Sequence, residues 1–170
     1  MWLQGADEID TSKLGNAFVI YQGHHGDKGA HRADVILPGA AYTEKNATYV
    51  NTEGRVQRAR IALFPPGDAK EDWKILRALS EVIGTKLPYD TLPQLRARMA
   101  AINPIFAQVD TVVPAGWGAF GAAGAVEAVP FRSPVANFHM TCAISRASET
   151  MAKCTAARAA ALDPRTGTHG

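Results

Sequence analysis

The sequence predicts an α/β fold: a partial sheet with mixed strands and flanking helices, followed by an irregular arm and a C-terminal helix. Three observations predict it. Residues 17–22 form an apolar, β-branched run without alternation, which is typical of a strand buried on both faces. A helical apolar period follows Asp68, whereas residues 103–140 are broken repeatedly by proline. The 170 residues amount to about one domain.

Short strands are expected in the first sixty residues. Residues 1–5 form an apolar run that ends at glycine, and residues 34–37 form another that ends at a Pro-Gly pair. Between the second and third strands, residues 23–33 form a glycine-punctuated loop with room for one helical turn. Residues 49–61 predict a hairpin in which Gly54 supplies the positive φ of the turn.

Three helices are expected after the hairpin. Asp68 and Glu71 have the spacing of a capping box, so the first helix should begin at Asp68 and stop at Gly84. A second should run from about residue 91 to 102, with a proline in its first turn. The last is expected as one alanine-rich helix over residues 145–161.

The segment between the second and last helices is predicted to form an extended arm that lies on another surface. It contains no Lys or Arg between residues 99 and 131. Trp117, Phe120 and Phe131 fall within it, and large apolar side chains are unfavourable in water. We therefore expect a docked arm and not a free linker.

Composition excludes several classes of function. The net charge of +2 and the absence of a like-charge block argue against a nucleic-acid partner. The longest uncharged run is rich in Gly and Ala, so no direct membrane span is expected. Two cysteines cannot supply the four thiolates that a conventional iron–sulfur cluster needs.

Two local motifs could suggest catalysis or cofactor binding, but their context argues against it. Residues 116–121 match G-x-G-x-x-G, yet a proline interrupts the turn and no βαβ helix or acidic partner follows. Cys142 and Cys154 are expected on or near an apolar helix as small core residues. No catalytic or cofactor-binding residue is assigned.

The histidines form a second cluster without an assigned role. His24, His25 and His31 lie near Asp27, but adjacent histidines point apart and no fourth ligand has a recognisable spacing. No metal site is predicted, and the roles of the three histidines stay open.

Several stretches, taken together, resemble the large iron–sulfur subunit of respiratory complex I, the NADH-quinone oxidoreductase of bacteria. That subunit is itself similar to the molybdopterin oxidoreductases in its C-terminal part. The pattern A-D-V-x-L-P, then E, then N-x-E-G-R is shared with the wider superfamily. The resemblance covers nearly the whole chain and rests on residues 21–27, 33–45, 47–55, 137–141 and 144–154.

The resemblance implies a division of the chain. Residues 1–102 would be the C-terminal part of a molybdopterin-oxidoreductase-like α/β domain. Residues 103–162 would be the extended arm and the C-terminal helix, and residues 163–170 a disordered tail. In the family, the cluster-binding cysteines lie far upstream of this region, so the resemblance implies no cofactor in this chain.

The shared polar positions carry over as fold-keeping residues only, because this family is thought to have lost the molybdopterin cofactor. Asp34 can anchor the junction between the loop and the third strand, and Glu44 belongs to the same pattern. Asn51, Glu53 and Arg55 can tie a tight turn through bonds between side chains and backbone.

The sequence departs from the family pattern at Cys142, where the family usually has Asp. Because sulfur accepts hydrogen bonds poorly, we expect the cap of the last helix to move to Thr141 or Ser145, or to weaken by about 1 kcal/mol. The resemblance itself does not depend on this position.

The resemblance implies a scaffold and docking role in the peripheral arm of a membrane complex whose parent enzyme passes electrons from NADH to quinone. The chain alone is expected to be inactive. Its partners would be other complex I subunits and the N-terminal half of the same subunit, on the cytoplasmic face of the bacterial inner membrane or the mitochondrial matrix side. The alternative is a free-standing module that binds a small ligand or a protein; a molybdopterin-dependent enzyme would need domains that are absent here.

Overall fold

A computed structural model describes residues 1–5, 8–131 and 133–162 and confirms a mixed α/β fold. The strands are β1 (Trp2–Gln4), β2 (Ile20–Gly23), β3 (Val35–Pro38), β4 (Ala47–Val50) and β5 (Val56–Ala59). The helices are α1 (Lys28–Arg32), α2 (Asp72–Val82), α3 (Leu92–Ile102), α4 (Ala143–Arg146) and α5 (Glu149–Ala161). Two 3₁₀ turns cover Thr11–Leu14 and Pro104–Ala107. The predicted tail 163–170 lies outside the described residues.

The first three strands form a parallel sheet in the order β1-β2-β3. Leu3 pairs with Tyr21, which in turn pairs with Ile36. Leu3, Val19 and Tyr21 form the buried apolar cluster, so the central strand β2 carries the core as its unalternating sequence predicts. The outer strand β3 is more exposed than that pattern suggests, because no further strand is paired alongside Val35–Pro38 among the described residues.

The predicted hairpin forms a separate two-stranded antiparallel sheet in which Val50 pairs with Val56. Gly54 has a φ of 81°, the left-handed conformation that the turn requires. Val56 is completely buried and also forms a bridge with Val109, beyond α3. This bridge joins the segment after α3 to the hairpin.

The start of α2 differs from the prediction. The helix begins at Asp72, and Glu71 occupies the N-cap position without making a side-chain capping bond. The Glu71 carboxylate instead accepts hydrogen bonds from the Asn46 backbone N–H and from Trp73 Nε1, each at 3.0 Å. Bonds to a distant loop therefore replace the predicted capping box at Asp68. The predicted end is confirmed, because Gly84 has a φ of 78° just beyond the helix.

The prediction of a single C-terminal helix over residues 145–161 is wrong, because the chain forms α4 and α5 with a break between them. Ser148 has an extended backbone and its side chain accepts from the Met151 N–H, so it caps a new helix. The expectation that the first cap moves to Thr141 or Ser145 is also wrong, since Cys142 Sγ accepts from the Ser145 N–H at 3.5 Å. The Ser145 hydroxyl accepts from the Cys142 N–H in return.

The segment between α3 and α4 is irregular, as predicted, but no described part of the chain covers its Trp117 and Phe120 side chains. Trp117 is 93% exposed and Phe120 is 74% exposed. No other described segment of the chain packs over them. The expectation that this arm lies on another surface therefore stays a prediction.

The helix α3 provides a direct test of local capping. Thr91 Oγ1 accepts from the Gln94 N–H, and Gln94 Oε1 accepts from the Thr91 N–H, which completes a capping box. We expect Thr91→Ala to lower the free energy of unfolding by about 1 kcal/mol and the melting temperature by about 3 °C. Thr85→Ala, at an exposed threonine just after α2, is the matched control. Equal melting temperatures for the two variants would contradict the capping assignment.

Candidate functional site

The carboxyl ends of the parallel strands meet at one edge of the sheet, where α/β proteins commonly bind ligands. Gln22, at this edge, is completely buried and its Nε2 donates to Asp72 Oδ1 at 2.8 Å. The other oxygen of Asp72 accepts from Lys45 Nζ. Asp72 is the first residue of α2, so the carboxylate also lies where the helix dipole favours negative charge. The edge is thus occupied by a network between strand, loop and helix.

Close backbone packing brings the start of α2 against the sheet at this network. The Gly39 N–H donates to the Gly23 carbonyl at 2.8 Å, which joins the ends of β2 and β3. A Cβ atom at Gly39 would lie 3.2 Å from Asp72 Oδ1, closer than ordinary van der Waals contact. Glycine at position 39 therefore lets the helix terminus approach the sheet.

A cavity of about 240 Å³ opens beside the Lys45–Asp72 pair. Its apolar lining comes from the hairpin and from α2 and α3, and its charged edge is the pair itself together with Glu71. The volume lies below the range of about 300–1,000 Å³ that is typical of ligand pockets. Because these charged groups already bond to one another or to backbone, they provide structural contacts and not a constellation for catalysis.

The family-pattern residues near β3 bond to the chain's own backbone. Asp34 Oδ2 accepts from the Val19 N–H at 2.7 Å and lies 3.7 Å from Arg32 Nη1. Asp34 thereby links the start of β3 to the entry of β2. Glu44 Oε2 accepts from the Ala41 N–H at 2.9 Å and closes the turn that follows β3.

The other three family-pattern residues converge in the hairpin turn. Asn51 Oδ1 accepts from the Arg55 N–H at 2.9 Å, and Glu53 Oε1 accepts from Arg55 Nε at 2.7 Å. The bond from Arg55 holds the pKa of Glu53 below its ordinary value. Arg55 Nη1 also donates to the Asp110 carbonyl at 3.0 Å. Arg55 thus connects the turn to the segment that follows α3.

A further functional contact was not predicted from the sequence. Asp27 caps α1 through the Lys28 N–H, and its second oxygen accepts from Arg146 Nε. This pair joins the β2–α1 loop to α4 across 119 positions of sequence. Arg146 Nη2 also lies 3.6 Å from Glu8 Oε1. No local sequence pattern predicts such a pairing, although the G-D-K sequence at Asp27 does indicate a helix N-cap.

The histidines follow the same loop. His24 and His25 contact edge to face with ring centroids 4.9 Å apart, and His31 is an exposed residue of α1. Partial burial, and then the neighbouring His25 and Lys45 groups, lower the pKa of His24 below its ordinary value. In the part of the chain that the structure describes, no three residues of the His, Cys, Asp and Glu types are grouped so that they could hold a metal ion.

Comparison with protein-family models first gives the class of protein to which the chain is similar. Residues 1–82 match the family model for molybdopterin oxidoreductase, in agreement with the parallel sheet and its helices. Residues 112–154 match a second family model, which describes the C-terminal region of the G subunit of NADH-ubiquinone oxidoreductase. Among the described residues, no helix is both long and apolar enough to cross a membrane.

The relatives then give the particular protein family: the chain is a homologue of the 75/78 kDa subunits of NADH-ubiquinone oxidoreductase, which confirms the resemblance in its motifs. The mitochondrial 78 kDa subunit of Neurospora crassa is 50% identical over 98% of this chain and 23% of its own length. The corresponding Candida albicans subunit is 50% identical over 91% of this chain, and the 75 kDa subunit of Reclinomonas americana is 48% identical over 91%. The chain spans about a quarter of the length of these relatives.

The Asp27–Arg146 pair predicts a pH-dependent attachment of the C-terminal helices. The hydrogen bond from Arg146 is the main cause that lowers the pKa of Asp27. A carboxylate with a lowered pKa stabilises the folded state above its unfolded pKa of about 4, and this contribution is lost as the pH falls through the folded pKa. We therefore expect the protection of the α5 amides, measured as the exchange rate relative to the intrinsic rate at the same pH, to fall on acidification below about pH 4.

The variant Asp27→Asn should reproduce this loss of protection at neutral pH, because the amide has no charge to pair with Arg146. Asp10→Asn is the matched control. Asp10 also caps a helical turn and also has a lowered pKa through its hydrogen bonds to Ser12. Equal exchange rates in α5 for the two variants would show that the ion pair does not attach the C-terminal helices.

Proposed function

We propose that this chain forms a scaffold and docking portion of the large subunit of an NADH-ubiquinone oxidoreductase. Its relatives are named as subunits of that enzyme, and this chain corresponds to about a quarter of their length. On this proposal, the whole enzyme transfers electrons from NADH to a quinone, and this portion contributes structure and contacts to the other subunits.

One observation carries the scaffold proposal: four of the five polar residues of the family pattern bond to the chain's own backbone. Asp34 bonds to Val19, Glu44 to Ala41, and Arg55 to Asp110. In a catalytic or cofactor site, some of these groups would be directed into an open cavity. Here they close turns and join segments. The charged edge of the 240 Å³ cavity is likewise paired internally, which disfavours a ligand site at that cavity.

We propose that any iron–sulfur clusters of the enzyme are held outside this chain. One relative, from Solanum tuberosum, is named an iron-sulfur protein. This chain has two cysteines, of which Cys142 caps α4 and Cys154 lies on α5. A conventional cluster takes four protein ligands. Reconstitution of the chain with iron and sulfide should therefore give no cluster absorption, and a stoichiometric cluster would overturn this part of the proposal.

We further propose how the chain is organised within the enzyme. Residues 1–102 would belong to the molybdopterin-oxidoreductase-like domain, and residues 103–162 would extend from it as an arm with C-terminal helices. The subunit would lie in the peripheral arm of the enzyme, on the mitochondrial matrix side or the bacterial cytoplasmic side. The mitochondrial names of several relatives support the membrane enzyme as the context.

The scaffold role predicts that loss of an internal bond lowers the amount of assembled enzyme but not its turnover rate. Arg55→Ala removes the bonds from Arg55 to Glu53 and to the Asp110 carbonyl. We expect several-fold less assembled enzyme, because loss of such bonds lowers the abundance of a marginally stable fold. The rate of NADH oxidation per assembled enzyme should stay unchanged. Both quantities are measured on the purified enzyme that contains this chain.

Arg60→Ala is the matched control, because Arg60 is an exposed arginine just beyond β5. It should leave the yield of assembled enzyme unaltered. A normal yield of Arg55→Ala enzyme with a reduced rate per enzyme would contradict the scaffold role and point to a part in turnover.

A further inference from the structure

Residues 112–131, here called the aromatic loop, extend from the body of the chain between two fixed ends. At one end, the Asp110 N–H donates to the Val56 carbonyl at 2.8 Å, and Arg55 holds the Asp110 carbonyl. At the other end, α4 is attached through Arg146 and Asp27. Among the described residues, those of the loop form no hydrogen bond to another segment, and every one is exposed. The loop is therefore tethered at both ends and uncovered between them.

The centre of the loop has a preformed local geometry. The rings of Trp117 and Phe120 pack edge to face with centroids 5.1 Å apart. Gly121 has a φ of 66°, so the chain turns immediately after this pair. Gly118 lies beneath the phenyl ring, because a Cβ there would be 3.6 Å from the ring of Phe120. Two large rings are thus held together on a short turn. The loop therefore loses less conformational entropy when it binds a partner.

The apolar area of the loop is large enough for a protein interface. Trp117, Phe120 and Phe131 are 93%, 74% and 109% exposed. Each aromatic side chain can bury about 150–250 Å², so these three offer roughly 500 Å² of the 800 Å² that a standard interface buries on each partner. Val126 and Val129, which are 96% and 66% exposed, add to this area.

The charge pattern specifies the chemistry of the partner surface. Glu127 is the one charged residue in the aromatic loop, and no Lys or Arg occurs from residue 99 to 131. A nucleic acid or an anionic membrane would require basic residues here. An uncharged apolar groove on a protein fits the loop, and such a contact should be insensitive to salt.

The family comparison supplies an independent argument. The family model for the C-terminal region begins its match at residue 112 and so includes the whole aromatic loop. Members of the family therefore share a sequence pattern in a segment that packs against nothing described in this chain. A pattern that no packing among the described residues maintains is explained by contact with a surface outside them.

We propose that the aromatic loop docks into an uncharged apolar groove on a neighbouring protein subunit, with the Trp117–Phe120 pair as its anchor. This inference rests on the proposed function, because it places the neighbour within the NADH-ubiquinone oxidoreductase. A second copy of this chain and the remainder of a longer subunit are the competing occupants, and the experiment below separates them.

The test is site-specific crosslinking in the intact enzyme. A photoreactive phenylalanine analogue replaces Trp117, and in a second preparation it replaces Phe64, which is 92% exposed but lies outside the loop. We expect the probe at position 117 to form a crosslink to a different subunit, at equal yield in low and high salt. A crosslink confined to the same subunit or to a second copy of it, or a yield no higher than at position 64, would overturn the proposal.

A paired variant gives a quantitative readout. Trp117→Ala with Phe120→Ala should weaken association of the chain with the rest of the enzyme on the order of 30-fold or more, as for loss of a hot-spot aromatic. Phe64→Ala should leave it unchanged. Full association of the double variant would overturn the anchor. If the unaltered chain is absent from the purified enzyme, the proposed function fails. If the chain is present but the probe at position 117 forms no crosslink to another subunit, only the loop proposal fails.

Discussion

Two adjacent carboxylates at the start of α2 connect the main parts of the α/β region. Asp72 accepts from the buried Gln22 at the end of β2 and from Lys45 in the loop before β4. Glu71 accepts from the Asn46 backbone, so one helix terminus binds the sheet, the loop and the hairpin together. Most buried polar groups are hydrogen-bonded, and the bond from Gln22 Nε2 to Asp72 defines the distance between α2 and the sheet edge. Gly39 permits the close approach that they need.

A few polar side chains, among them Gln22 and Glu71, are buried, while many large apolar side chains face outward. The buried apolar core of the parallel sheet rests on Leu3, Val19 and Tyr21 with a few partly buried neighbours. By contrast, large apolar side chains such as Ile36 and Phe64 are exposed. Exposed apolar surface on this scale is typical of a chain that contacts other proteins. The internal polar bonding and the external apolar surface are consistent with one role, that of a structural portion within a larger assembly.

The C-terminal region combines two kinds of contact. The helices α4 and α5 are attached to the body by a charged pair between Arg146 and Asp27. The aromatic loop before them carries almost no charge and, within the described part of the chain, forms no hydrogen bond to the body. A charged attachment responds to pH, whereas an apolar one does not. The region can therefore stay fixed to its own chain at one point and be free to contact a neighbour at another.

The sequence by itself determined the features that depend on neighbouring residues. The apolar run through Tyr21 predicted the buried central strand, Gly54 predicted the hairpin turn, and Thr91 predicted the start of α3; each relies on bonds or conformations within a few positions. Tertiary structure decided the rest. The Asp68–Glu71 spacing indicated a capping box, but the Glu71 carboxylate bonds to Asn46 instead, because the part-buried Asn46 N–H needs an acceptor. The Arg146–Asp27 pair was likewise beyond any local pattern, since folding alone brings the two residues together.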